Sequence, residues 1–243
     1  MKKATEKMSV LILGSGPNVL QARDWISHPF DRVVAINNAW QVRCDWSHVI
    51  FPFDFPDAKK PKSLKKNQFI VTQEDFVPVQ NRFGGFLYAG GTMAFTTGYW
   101  VLGYFRPAYI SFLGCDMHYP KTEKTHFYGS GTADPLREDV SLMSLEAKSN
   151  RFYAYSLEQG CQVTNLSSGP SRLTFPRQKL HDKLPKPLYV NSKLQRKAKA
   201  KERKLGYFIP SGRYWEAVET FDRQEIMTLD KLWYDAVENS EIL

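Results

Sequence analysis

Ser9-Val10-Leu11-Ile12-Leu13-Gly14-Ser15-Gly16-Pro17-Asn18 is the stretch that decides the fold. An unbroken apolar run of strand length that stops at Gly-Ser-Gly, with a proline placed to open the next element, reads as a buried strand turning into a helix. Val19, Leu20 and Trp25, interleaved with polar residues, carry that helix. The pattern then recurs. Arg32–Ile36 is a second strand, ending at Asn37-Asn38, and residues 48–51 and 68–72 are two more, separated by a Lys- and Pro-rich loop over 57–66. Residues 92–103, just after Gly90-Gly91, are apolar nearly all round and predict a buried helix. Residues 108–113 form the next strand and stop at Gly114-Cys115-Asp116. Leu142, Leu145, Phe152 and Tyr155 place a helix within 138–159, Gly160 caps it, and a strand follows over 161–163. Strand and helix in alternation predict an α/β fold: a Rossmann-like, mostly parallel sheet with helices on both faces. Ligands of such sheets lie at the carboxyl ends of the strands. Gly14–Gly16, Asn37-Asn38, Gly91-Thr92 and Gly114–Asp116 therefore become one candidate site.

Length and composition agree with a packed domain. The 243 residues contain 42% hydrophobic, 14% aromatic and 24% charged side chains, which excludes disordered, collagen-like and coiled-coil chains. Three cysteines, Cys44, Cys115 and Cys161, stand far apart without a metal-ligand spacing, and a reducing compartment is expected. The apolar run before Gly14 is too short for a signal peptide and no segment reaches the ~20 apolar residues that span a bilayer, so the expectation is a cytoplasmic protein. The net charge of +8 is unevenly placed: residues 177–204 hold 11 Lys/Arg against 2 Asp/Glu, and residues 205–243 hold 3 against 8. A domain over 1–176 is thus followed by a basic segment and carboxyl-terminal helices over 177–243, the helices patterned by Tyr214, Trp215, Val218, Phe221, Ile226, Leu229, Leu232 and Trp233. The basic run either meets phosphates of nucleic acid, lipid or a charged glycan, or is a solvated helix partnered by the acidic tail. The terminal helices suit a cap or a homo-oligomer contact.

Chemistry concentrates on one connection. Asp116, His118 and Tyr119 follow a strand, and Thr125, His126, Phe127, Tyr128 and Asp134 come within the next fifteen residues. A histidine can take a proton from an attacking hydroxyl and a tyrosine can protonate a departing phosphate oxygen. Each also has a structural alternative: Asp116 capping a turn, His126 half-buried and satisfied, Tyr119 only packing. Gly14-Ser15-Gly16 either admits a phosphate to a helix N-terminus or is a tight strand-to-helix turn. It lacks the third glycine of a dinucleotide fingerprint, and Asn37 stands where an acid would hold the ribose.

The order Leu11–Asn18, Val34–Asn38, Gly90-Gly91-Thr92, Leu102-Gly103-Tyr104 and Ile110–Asp116 resembles the bacterial lipooligosaccharide sialyltransferases and related nucleotide-binding proteins, over roughly residues 9–165. The resemblance implies that Gly14, Ser15 and Gly16 contact the nucleotide, that Asn37 and Asn38 hold its ribose or base, that Gly91 and Thr92 add contacts, and that Asp116 borders the donor sugar. In those enzymes a histidine base lies four residues beyond a histidine-aromatic pair. The matching position here is Ser130, and His118 stands where a tyrosine is expected.

The expected function is accordingly a glycosyltransferase that moves a sugar from a nucleotide donor such as a CMP-sugar to a glycan or glycolipid hydroxyl by direct displacement. His126 or His118 serves as base, with Tyr119 or Tyr128 at the leaving phosphate. No metal and no cofactor are expected beyond the donor itself, and the basic segment would touch an anionic surface at the inner membrane. Two other readings stand beside it. One is a Mg²⁺-dependent phosphoryl or pyrophosphoryl transferase with Asp116, Asp134 and Glu138 as ligands. The other is a nucleic-acid-binding protein working through residues 177–204.

Overall fold

The computed structural model describes residues 8–119, 125–129 and 138–238. Its centre is a six-stranded sheet of β1 (Ser9–Leu13), β2 (Arg32–Ile36), β3 (His48–Ile50), β4 (Phe69–Val71), β5 (Tyr109–Leu113) and β6 (Gln162–Asn165). Every neighbouring pair is parallel and the order is β4-β3-β2-β1-β5-β6. Side-chain alternation assigns the two faces. Val10, Ile12, Val34, Ile36 and Ile110 point into one apolar core, and Leu11, Leu13, Val33, Ala35 and Leu113 point into the other. With both faces covered, the central strands read as continuous hydrophobic runs, which is why β1 is so legible.

The faces are covered differently. Three helices, α1 (Gln73–Asn81), α3 (Met93–Phe105) and α4 (Leu145–Glu158), pack on the first, with the short α2 (Phe86–Ala89) between α1 and α3. The second is closed by the 3-10 helices Pro17–Asp24 and Asn37–Gln41. Helix α1 was not expected. Its N-terminus is a capping box in which Thr72 and Asp75 satisfy each other's backbone groups, and Pro78 is carried inside it. Where two terminal helices were expected, a 3-10 helix, Tyr214–Thr220, kinks at Ala217 and leads into α6 (Arg223–Asp235).

The basic run folds into α5 (Ser192–Leu205), N-capped by Asn191 and ended by Gly206 at φ 64°. Its inner face is fastened to α4 by a buried bidentate pair: Arg151 Nε and Nη2 donate to the two Glu202 oxygens at 2.7 and 2.9 Å. The Trp233 indole donates to the same carboxylate at 2.7 Å, and Lys148 pairs with Asp230 at 2.7 Å. Ala198, Ile226, Leu229 and Trp233 share one apolar cluster with Leu87, Ala147 and Ala154, so residues of 177–243 pack directly on those of 1–176. On the outer side Lys199 pairs with Glu158, and Lys201 with Glu225 of the acidic tail. Lys193, Arg196, Lys197, Arg203 and Lys204 stay exposed on one stripe of the helix. Among the described residues no helix is long and apolar enough to cross a membrane.

Candidate active site

From β1 the chain runs through β2 and β3 to β4 on one side, and returns through β5 to β6 on the other, so the switch point lies between β1 and β5. Ligands of open parallel sheets bind outside the carboxyl ends at that point. The two loops there are fused. Gly14 N donates to Leu113 O and Gly16 N donates to Gly114 O, each at 2.8 Å. A Cβ on Gly14 would lie 2.2 Å from Gly114 O and 2.6 Å from Cys115 Sγ. Glycine is required here by strand-loop contact. The amides of Gly14 and Gly16 are thus spent on the β5 loop, and Ser15 between them lines the cleft.

Above this junction lies a cleft of about 1280 Å³. Three side-chain atoms on its wall are buried with no hydrogen-bond partner among the described residues: Ser15 Oγ, Asn18 Oδ1 and Asn37 Oδ1. Orphaned groups of this kind are costly unless a ligand or water satisfies them. Asn37, which lines the cleft, sits at φ 51°, a left-handed conformation that asparagine tolerates, while Asn38 is buried and does not line it. Asp116 is held from both sides: the Asn18 amide donates to one oxygen at 2.6 Å and the Asn165 amide to the other at 3.3 Å. Beside it, burial and the Asp116 charge push the Cys115 thiol well above its ordinary range, so it stays a protonated, unreactive wall residue.

The titratable cluster lies beside the glycine turn. Phe127 N donates to Ser15 O at 2.9 Å, docking the 125–129 segment on the glycine turn. His126 lies 2.9 Å from Thr125 Oγ1 through Nδ1, stacks on Tyr128 at 5.0 Å between centroids, and has Tyr119 at 6.1 Å. Burial first, and the Lys59 charge second, lower the His126 pKa, which favours the neutral imidazole, the form able to accept a proton. His118 also lines the cleft but is exposed. Thr92 and Gly91 form the third wall. The Thr92 hydroxyl accepts from Phe95 N as the N-cap of α3, and Gly91 N donates to Ser141 Oγ at 3.0 Å.

No family model, no curated protein and no solved structure matches this chain. The site is therefore read from its own groups.

Several of them were not expected. Of the three carboxylates proposed for a metal, Asp116 lines the cleft, Glu138 is exposed outside it, and Asp134 lies outside the described residues. Its neighbour Asp139 faces inward instead, accepting from Ser141 Oγ at 2.7 Å and from Tyr214 OH at 2.6 Å. Tyr214 belongs to a strap, residues 211–216, that crosses from the carboxyl-terminal extension to wall the cleft. The one signal for it in the sequence was Arg, Tyr and Trp clustered after a Ser-Gly turn. Among the described lining residues the formal charges are five carboxylates, Asp54, Glu74, Asp116, Asp139 and Glu216, against one guanidinium, Arg213.

Proposed function

We propose that the protein is a nucleotide-sugar glycosyltransferase acting by direct displacement. The observation that carries this reading is the meeting, in one cleft, of three orphaned ribose- or base-type partners (Ser15, Asn18, Asn37) with a neutral His126 backed by Tyr128. The cleft also exceeds the roughly 300–1,000 Å³ of a site for one small ligand, leaving room for donor and acceptor together. With Nδ1–H donated to Thr125, His126 Nε2 takes the acceptor hydroxyl's proton. The hydroxyl oxygen bonds the anomeric carbon as the carbon–phosphate oxygen bond breaks, and the nucleoside monophosphate leaves, its oxygen stabilised by Tyr128 or Tyr119. His118 is the alternative base. The donor is a CMP-sugar in this proposal, bound without a metal, as the resemblance to the sialyltransferases implies. The acceptor is a glycan or glycolipid, and the exposed basic stripe of α5 holds the protein at an anionic surface, each such cation contributing ~1 kcal/mol near charged lipid.

The test is release of CMP from a panel of CMP-sugars. His126→Ala lowers turnover by about 10²–10⁴ with CMP binding retained, the range of a general base; full turnover in a His118→Ala/His126→Ala double variant removes the proposed base.

The excess of carboxylates in the cleft leaves Mg²⁺-dependent phosphoryl transfer as a second reading, although among the described residues no three carboxylates or histidines gather into a metal site. Strict Mg²⁺ dependence of nucleotide binding, with ATP preferred over CMP, selects it. Nucleic-acid binding through α5 would instead show a steep salt dependence that vanishes on reversing the exposed stripe.

A further inference from the structure

The strap that walls the cleft is fixed at three points and exposes what lies between them. Asn81 donates to Pro210 O at 2.7 Å. Gly212, at φ 77°, is pressed on Phe86 so closely that a Cβ would lie 2.9 Å from the ring. Tyr214 OH donates to Asp139 Oδ2, receives Ser141 Oγ at 3.1 Å, and leaves no room for a Cβ on Gly91. Between and after these anchors stand Arg213 and Trp215. The Arg213 side chain is 63% exposed, with a single weak contact to Glu216 at 3.4 Å, which is an exposed pair of little energetic weight. Trp215 is 52% exposed as a residue, and its ring is braced edge-on by Tyr214 at 5.6 Å. A rigid backbone presenting a guanidinium and an open indole face is pre-organised to bind, because the ordering cost is already met by the anchors.

The charge around it decides what it binds. Arg213 is the lone guanidinium among the described lining residues, set against five carboxylates, so an anionic group entering this arm of the cleft has one cation to meet. A guanidinium grips a carboxylate or phosphate with paired donors, and an indole face packs on the apolar face of a pyranose ring. We propose that Arg213 and Trp215 form the subsite of the second substrate, a saccharide bearing a carboxylate or phosphate, with Arg213 holding the anion and Trp215 the ring. This deepens the transferase reading and rests on it.

The experiment is saturation-transfer NMR on the full chain with methyl β-glucoside, methyl β-glucuronide and glucose 6-phosphate, each with and without CMP. The wild type is expected to bind a charged sugar about tenfold more tightly than the neutral one, and the glucuronide and phosphate arms show which anion is preferred. Arg213→Gln levels that preference, Trp215→Ala weakens all three sugars, and both variants bind CMP within about twofold of wild type. Equal binding of charged and neutral sugars, binding of none of them, or a preference that survives Arg213→Gln overturns the proposal. A preserved preference in a protein that ignores CMP would instead overturn the nucleotide reading and leave the subsite standing.

Discussion

Gly14→Ala is the perturbation whose cost follows most directly from the geometry. The new Cβ would lie 2.2 Å from Gly114 O, where real contacts essentially never fall below 3.0 Å, so the carbonyl must retreat by about 0.8 Å. That carbonyl accepts from Gly16 N, and the next backbone group along, Leu113 O, accepts from Gly14 N. Overpacking of this kind costs about 1–3 kcal/mol and each of the two hydrogen bonds about 1 kcal/mol. A loss of roughly 3–5 kcal/mol follows, which for a chain of this size lowers Tm by roughly 6–20 °C. Gly169→Ala is the control: it borders the same cleft, but its Cβ meets nothing within 4 Å. Its expected effect is within about 0.5 kcal/mol. Urea unfolding followed by tryptophan fluorescence compares them. If the two alanines cost the same, the β1 and β5 loops are not fused as described and the geometry of the switch point is misread.

Other expected outcomes concern buried charge and pH. Lys148→Met leaves Asp230 buried and unpaired and costs about 3–5 kcal/mol, whereas Lys148→Met/Asp230→Leu comes back close to wild type in thermal melts. Burial raises the Asp230 pKa, so stability of the single variant is greatest at acid pH and falls as pH rises through the raised folded value; the double variant lacks this slope. His48, buried among Phe69, Trp100 and Phe105 and away from the cleft, has its pKa lowered to about 4 by burial and by Arg32. Its contribution is full above the unfolded value of 6.5 and is lost as pH falls towards 4, so wild type loses about 1–2 kcal/mol over that window, after solvent screening of a partly open ring, that His48→Phe retains, read by pH-dependent chemical denaturation. For His126 the lowered pKa places the acid limb of kcat/KM below the ordinary histidine value, and a limb at or above 6.5 assigns the base to another group.

Legibility in the sequence tracks whatever local pattern dictates. Leu11, Ile12 and Leu13 are buried on alternating faces, so a continuous apolar run marks the strand, and glycine at 14 and 114 marks the junction of β1 and β5. The six strand positions follow from the same logic to within a residue or two. Helix α1 is hidden by Pro78 and by Thr72, which reads as the end of a strand and serves as an N-cap. The roles of Gly14 and Gly16 are legible only in part, because glycine that admits a phosphate and glycine that admits a neighbouring loop look alike in sequence. The strap is illegible for a different reason. Tyr214 reaches Asp139 across 75 positions, and no local periodicity encodes such a contact. Residue types point to His126 and Tyr128, but their stacking depends on Phe127 docking to Ser15.

The most direct test of the nucleotide cleft is a thermal-shift titration with CMP, run with and without Mg²⁺ beside CDP, UDP, ADP, ATP, GDP and NAD, on wild type and on Ser15→Ala and Asn37→Ala. At ~100 times its dissociation constant a ligand stabilises by about 2.7 kcal/mol, a shift of several degrees. The account predicts that shift with CMP in the absence of metal, and its loss in both variants while their unliganded melting stays near wild type. A shift confined to ATP with Mg²⁺, or an undiminished CMP shift in the variants, contradicts it.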